Sequence, residues 1–356
     1  MEPIKKNFDF VDTIRCISMI GIVFEHSEVF GVANYASFYT SFAQAAGIQF
    51  FKFATVAFFL IAGFLINHKF VEYTPIQYLK NRFKSTIGPW AFWVNVFVIL
   101  NVVGIIFVAF FKYNRDGKLP SPFLNFIGQE YYNVIFTTSF WFIPNFLICI
   151  AILLLFKRYI YSVWFGLILG ITSLFYSVNL YHGWIKTQHP TALFGFVFFL
   201  WLGAYMNRHI DVVFNFIKKT SYTWMIGLTT VLFILASLEI VHLKSIFSQD
   251  PYNTLRVTNI AYALSFFFLL LKVGSIPMVN QIFLPRKTTY GIYLLHHIII
   301  LKVLLELFRP FHFQVTTMTF IDTITYSLLR FAAAYLISFL LVRVFLRTKF
   351  KWAIGG

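Results

Sequence analysis

The chain has 356 residues, 59% hydrophobic and 12% charged, with 29 Lys+Arg against 13 Asp+Glu for a formal net charge of +16. Soluble domains run to roughly 45–50% apolar and about 25% charged residues, so the composition excludes two ordinary soluble domains and points to an integral membrane protein. About ten spans of about 20 residues each leave connections too short for a soluble catalytic head, and residues 1–356 read as one all-α, polytopic helix bundle.

In chain order, apolar windows place spans at 10–33, 42–67, 87–111, 139–156, 159–180, 192–207, 223–243, 258–275, 288–308 and 321–346. The opening MEPIKKNFDFVDTIR interleaves acids with bases, a poor signal peptide, so the first span is expected to remain as an anchor. Lys69, Lys80, Arg82, Lys157, Lys218 and Arg286 fall on one set of connections, and the other set is poorer in bases, which orients the chain N-in and C-in. The cationic excess then reads as this orientation signal and as attraction to anionic membrane lipid, with no nucleic-acid motif beside it. Cys16 and Cys149 lie inside apolar runs and are expected to be structural thiols. Most of the 48 Phe residues suit lipid contact and helix packing; the segment Tyr181-His182-Gly183-Trp184 is the exception whose faces also suit a sugar ring.

An ionisable side chain in the hydrocarbon costs at least about 2.5–3.5 kcal/mol, which makes each one a functional candidate. The first span is the richest, with Asp12, Arg15, Glu25 and His26. A helix turns about 100° and rises about 1.5 Å per residue, so Arg15 and His26 share one face about 16 Å apart. Asp12 is within pairing reach of Arg15. Glu25 projects about 100° from His26 and could act as its counter-ion only through a neighbouring helix. An imidazole suits proton transfer near neutral pH, and a guanidinium suits a phosphate. In the ninth span Tyr290, Tyr293 and His297 line one stripe, with His296 beside it. No third ligand accompanies the two histidines in sequence, which argues against zinc, and no metal is expected. Lys52, Glu239 and Lys302 are expected to snorkel to span ends. Arg330 lies deeper, and Glu25 is its expected partner.

Six landmarks follow in order: Phe10-x-Asp12-x-x-Arg15 with ten residues before His26; Phe58-Phe59-Leu60-Ile61-Ala62-Gly63-Phe64-Leu65-Ile66; Tyr78-Leu79-Lys80-Asn81-Arg82 through Pro89; Phe140-Trp141-Phe142-Ile143-Pro144; Phe199-Leu200-Trp201-Leu202-Gly203-Ala204; and Tyr290-Gly291-Ile292-Tyr293-Leu294-Leu295-His296. Together they resemble the acyltransferase-3 family, membrane enzymes that move acyl groups from acyl-CoA onto extracytoplasmic sugars. The resemblance implies His26 as catalytic base with Glu25 beside it, and Arg15, Arg82 and Lys84 as ligands of the cofactor phosphates. Trp141, Tyr293, His296 and His297 are the candidate substrate-binding residues. Ala62 stands where the family usually has Ser, and Thr86 where it has a second Arg, for which Lys84 is the candidate substitute. The expected enzyme is an O-acyltransferase of the plasma (inner) membrane. It would use cytoplasmic acyl-CoA, acetyl-CoA first, to esterify a hydroxyl of a cell-surface or lipid-linked glycan. The alternative is a transporter or flippase of glycan or lipid in which the same charges form a proton relay.

Overall fold

The computed structural model describes residues 8–27, 37–72, 74–112, 122–186, 191–311 and 318–356. Among them are sixteen α-helices and no strand. The first three are α1 (Asp9–His26), α2 (Phe38–Gln49) and α3 (Phe53–Glu72). A capping box starts α4 (Pro75–Arg82): the Thr74 hydroxyl accepts from the Gln77 backbone N–H while the Gln77 side chain accepts from the Thr74 N–H. A π-helical turn, Phe83–Ile87, joins α4 to α5 (Gly88–Phe107). Pro89 lacks the N–H that would bond the Ser85 carbonyl, which loosens the ladder where the wider turn forms.

Next come α6 (Phe123–Thr137) and α7 (Phe142–Leu155), bent by 74° about the 3-10 turn Ser139–Trp141. Backbone freed by such a break needs partners at membrane depth. Tyr293 donates to the Ser139 carbonyl at 2.8 Å and Trp90 to the Phe140 carbonyl at 3.0 Å. The chain continues through α8 (Val163–His182), α9 (Leu193–Arg208), the short α10 (Ile210–Lys219) and α11 (Tyr222–Ser245). A 100° bend separates α12 (Val257–Val273) from α13 (Pro277–Phe283). Helix α14 (Pro285–Ile298) runs through a π turn, Ile299–Val303, into α15 (Leu304–Phe308), and α16 (Phe320–Phe345) follows.

The ten apolar segments read from the sequence fall on α1, α2–α3, α5, α7, α8, α9, α11, α12, α14–α15 and α16. Residues 28–33 of the first lie outside the described residues. Among the described residues six helical runs are long and apolar enough to cross a membrane, and counting each bent pair as one span raises this to eight. Helix α9, with 16 residues, is shorter than that measure asks. Helix α1 has the length but carries Asp9, Asp12, Arg15 and Glu25. The protein is therefore an all-α, multi-pass membrane protein. Helices α4, α6, α10 and α13 are additions to the segments expected from hydropathy.

Helix α1 joins two cores. Its Val11 and Ile14 belong to a core built with α3, α7, α9 and α12, while Met19 and Val23 belong to one built with α5, α14 and α16. The closest crossing is between α3 and α9. A Cβ added at Gly63 would stand 1.9 Å from the Leu200 carbonyl oxygen, and one at Gly203 would stand 2.0 Å from that of Leu60. Small residues let membrane helices approach backbone to backbone, so these two landmarks are the two halves of one contact. Nearby, the loop between α11 and α12 is pinned by Arg256, which is fully buried. Its guanidinium donates to the Ala236 carbonyl at 2.6 Å, to the Asn253 carbonyl at 3.1 Å and to Gln49 Oε1 at 2.5 Å.

Three charged residues differ from expectation. Glu239 does not snorkel: it is 6% exposed and accepts hydrogen bonds from Tyr181 and Thr258, with Arg256 at 3.7 Å. Lys52 is 3% exposed and pairs with Glu25. Glu25 is thus held by Lys52, at the turn between α2 and α3, where Arg330 was the expected partner. The Arg330 guanidinium instead lies over the Tyr326 ring, 5.8 Å from its centroid. A buried ammonium needs a nearby anion more than a route to water, and the turn brings one within reach.

Candidate active site

A cavity of about 800 Å³ runs along α1. Arg15, Met19, Ile22 and His26, spaced by four, three and four residues, present one stripe of α1 to it. Opposite runs the stripe Arg286, Tyr290, Tyr293 and His297 of α14, with the same spacing. The two helices thus carry the same Arg-x10-His pattern side by side. Asp12 joins their arginines: its carboxylate accepts from Arg15 Nη1 at 2.9 Å and from Arg286 Nε at 2.6 Å. At the other end the rings of His26 and His297 are 5.1 Å apart, edge to face.

The arginine end also receives Arg82, whose Nε donates to the Tyr78 hydroxyl at 2.9 Å. Thr86, in the π turn, lines this end, and its carbonyl accepts from the Tyr290 hydroxyl at 2.6 Å. Thr86 offers no charge, and Arg286 of α14 brings a further guanidinium to this end. The Lys84 side chain lies outside the described residues. Against these three guanidiniums stand the carboxylates of Asp12 and, 3.9 Å from Arg286, Asp9, which leaves the end net positive and suited to phosphate oxygens.

Between the ends the walls are apolar and aromatic, with Phe58 and Ala62 from α3 and Trp141, Phe142 and Phe146 around the start of α7. Ala62 itself faces the cavity, so the hydroxyl usual at that position would have been exposed to whatever the cavity holds. Such a lining fits a narrow neutral chain better than a charged one. Tyr293 lines the same stretch, its hydroxyl engaged by Ser139.

At the histidine end Glu25, His26 and His297 meet Thr55 of α3 and Gln249, Asp250 and Thr254 of the loop pinned by Arg256. His26 Nδ1 and His296 Nε2 are 2.8 Å apart, with the two rings edge to edge and their planes 15° apart. His296 is fully buried behind His26, and the cavity wall is formed by His26 and His297. His297 Nδ1 is buried and meets no hydrogen-bond partner among the described residues. Nitrogens of the three imidazoles lie within 4.8 Å of one another, so α1 supplies the third ligand that the sequence around His296 and His297 lacks. Ligand nitrogens on a tetrahedral zinc stand roughly 3.3 Å apart when each is about 2.0–2.1 Å from the metal. The 2.8 Å between His26 and His296 is the length of a hydrogen bond.

Of the candidates from the sequence, Arg15, Arg82, Glu25, His26, Trp141, Tyr293 and His297 converge on this one cavity, and His296 stands directly behind it. Arg286 and the 249–254 loop were missed. The eleven-residue step from Arg286 to His297, a copy of that from Arg15 to His26, was the available signal for Arg286. No local pattern marks the loop, because Arg256 holds it through backbone carbonyls and a glutamine from a distant helix.

A bundle whose most charged helix walls a single long cavity, basic at one end and histidine-lined at the other, has the layout of a membrane enzyme acting on two substrates. The chain belongs to the acyltransferase-3 family, whose model, described as an acyltransferase domain, matches residues 8–343. No curated protein and no solved structure matches it. The protein is a membrane acyltransferase, which favours group transfer over the transporter alternative.

Proposed function

We propose that this acyltransferase moves an acyl group, acetyl first, from cytoplasmic acyl-CoA to a hydroxyl of a cell-surface or lipid-linked glycan at the plasma (inner) membrane. The observation that carries the reading is the continuity of one cavity between Arg15, Arg82 and Arg286 at one end and His26 at the other. The three arginines hold the phosphates of acyl-CoA, and the pantetheine arm lies along the aromatic middle. The separation of Arg15 and His26 on α1, about 16 Å by helical rise, matches an extended arm of that kind. With the N-terminus inside, the arginines face the cytoplasm and His26 faces the outer surface.

In the proposed reaction His26 takes the proton of the acceptor hydroxyl as its oxygen attacks the thioester carbonyl carbon. Collapse of the tetrahedral intermediate breaks the C–S bond, and the proton on His26 passes to the departing CoA thiolate. General-base assistance contributes typically about 10²–10⁴-fold; alignment of the two substrates in one cavity adds to it. Gln249, Asp250 and Thr254 offer the polar groups that a sugar needs at the acceptor end.

The test is purified protein with labelled acetyl-CoA and candidate glycans, parent beside His26→Ala. The expected result is ester formation by the parent, and a folded variant that binds acyl-CoA but transfers at least about a hundredfold more slowly. A parent that forms no ester with any glycan, while moving one across a vesicle membrane, would sink the reading in favour of transport. A folded His26→Ala protein retaining more than about a tenth of parent activity would remove the base assignment.

A further inference from the structure

We infer that His296 is a positioning residue that fixes His26 in the tautomer with hydrogen on Nδ1, leaving Nε2 as the basic nitrogen. The inference rests on the proposed reaction for its catalytic meaning, but the tautomer follows from hydrogen bonding alone. His296 Nδ1 is 3.0 Å from the carbonyl oxygen of Ile292, one turn back on α14. A carbonyl only accepts, so His296 Nδ1 carries a hydrogen. In a neutral ring the other nitrogen, Nε2, is then an acceptor. That nitrogen is 2.8 Å from His26 Nδ1, which must be the donor. The lone pair of a neutral His26 is therefore on Nε2.

The alternative, a doubly protonated His296, would seal a cation in a ring that is 0% exposed. Such desolvation costs several kcal/mol. The two rings meet edge to edge, 5.0 Å between centroids and 15° between planes, so the bond runs in the plane of both, and turning His26 to exchange its nitrogens would break it. Thus His296 does for His26 what a buried carboxylate does for a histidine in a hydrolase triad: it sets the tautomer and the direction of the ring. It does so without adding a charge to the middle of a membrane protein. His297 stands on the cavity wall beside His26, and its Nδ1 meets no hydrogen-bond partner among the described residues.

The experiment compares His296→Leu with His296→Gln. A glutamine amide oxygen can accept from His26 Nδ1, whereas leucine cannot. His296→Leu is expected to lower kcat about a hundredfold or more while KM for acyl-CoA stays within about twofold, because the arginine end is untouched. His296→Gln is expected to recover kcat to within about tenfold of the parent. Leucine at parent kcat, or glutamine as slow as leucine, would overturn the inference. Nitrogen-15 spectroscopy of histidine-labelled parent, with the His26 signals assigned by their loss in His26→Ala, reads the tautomer without turnover and covers the case in which His296→Leu does not fold. Hydrogen on Nε2 of His26 would also overturn the inference. Hydrogen on Nδ1 in a protein that forms no ester would uphold the tautomer and reject the proposed reaction.

Discussion

The Lys52 ammonium, at the turn between α2 and α3, pairs with the Glu25 carboxylate at the far end of α1, one residue before His26. The contact ties the two parts of the chain that wall the histidine end of the cavity. Lys52 is 3% exposed in its side chain and Glu25 22%. Removing one member of a sealed pair costs about 3–5 kcal/mol because the other is left charged and alone. Lys52→Met is expected to approach the lower end of that range, since Glu25 borders the cavity and recovers some hydration. The double variant Lys52→Met with Glu25→Gln should regain most of the loss. Thermal unfolding in detergent measures both; equal melting of Lys52→Met and parent would show the pair to be energetically idle.

Donor binding should depend on Arg286 as well as on Arg82. A hydrogen bond to a charged group contributes about 1.5–3 kcal/mol, so Arg286→Ala is expected to weaken acyl-CoA affinity about ten- to a hundredfold. Added salt should weaken binding to the parent more than to the variant, because exposed charges are screened. Isothermal titration in two salt concentrations gives both numbers. Parent affinity in Arg286→Ala would take α14 out of the phosphate site.

The crossing of α3 and α9 makes opposite forecasts for two glycines. At Gly63 a methyl group would meet the Leu200 carbonyl at 1.9 Å, so Gly63→Ala should cost about 1–3 kcal/mol or more by forcing the helices apart. At Gly227, within α11, an added Cβ meets nothing within 4 Å. Gly227→Ala should leave stability unchanged or raise it by up to about 1 kcal/mol through helix propensity. The two melting temperatures, measured side by side, check the packing directly.

The proposed orientation can be read by reporters. Fusions after Lys84 and Lys219 are expected on the cytoplasmic side. Fusions at Asn34 and Lys118, which lie outside the described residues, are expected on the opposite side. A cytoplasmic reporter at Asn34 would put His26 at the wrong surface for an external acceptor.

Much of the bundle is visible in apolar windows, because a helix in lipid must be continuous and hydrophobic. What hydropathy does not reveal is the role of α1, which the window at 10–33 places as one span among ten; its charges at Asp9, Asp12, Arg15 and Glu25 and the Arg15 to His26 periodicity mark it as the wall of a site. The break at Ser139 is also silent in sequence, since the residues that satisfy it, Tyr293 and Trp90, come from other helices. Partner choice was the least legible property. Along the chain Arg330 is the expected partner of Glu25 and Lys52 is expected to snorkel; the turn at 50–52 brings Lys52 to Glu25 instead. Arg15 and Asp12 paired as expected because three residues on one helix fix their own geometry.

Placing Arg15 and His26 on a single helix, with no break from Asp9 to His26, makes α1 a ruler. In the proposed reaction a donor is measured against it before its acyl group is tested: a carrier thioester with a shorter arm would touch the arginines or the imidazole, but not both. On the proposed chemistry, selectivity among thioesters is then set first by the length of the carrier and only second by the acyl group it bears. Truncated donors such as acyl-cysteamines should react, if at all, without the binding contribution of the arginine end, and inserting one helical turn into α1 should shift the preference toward a longer arm by about 5 Å.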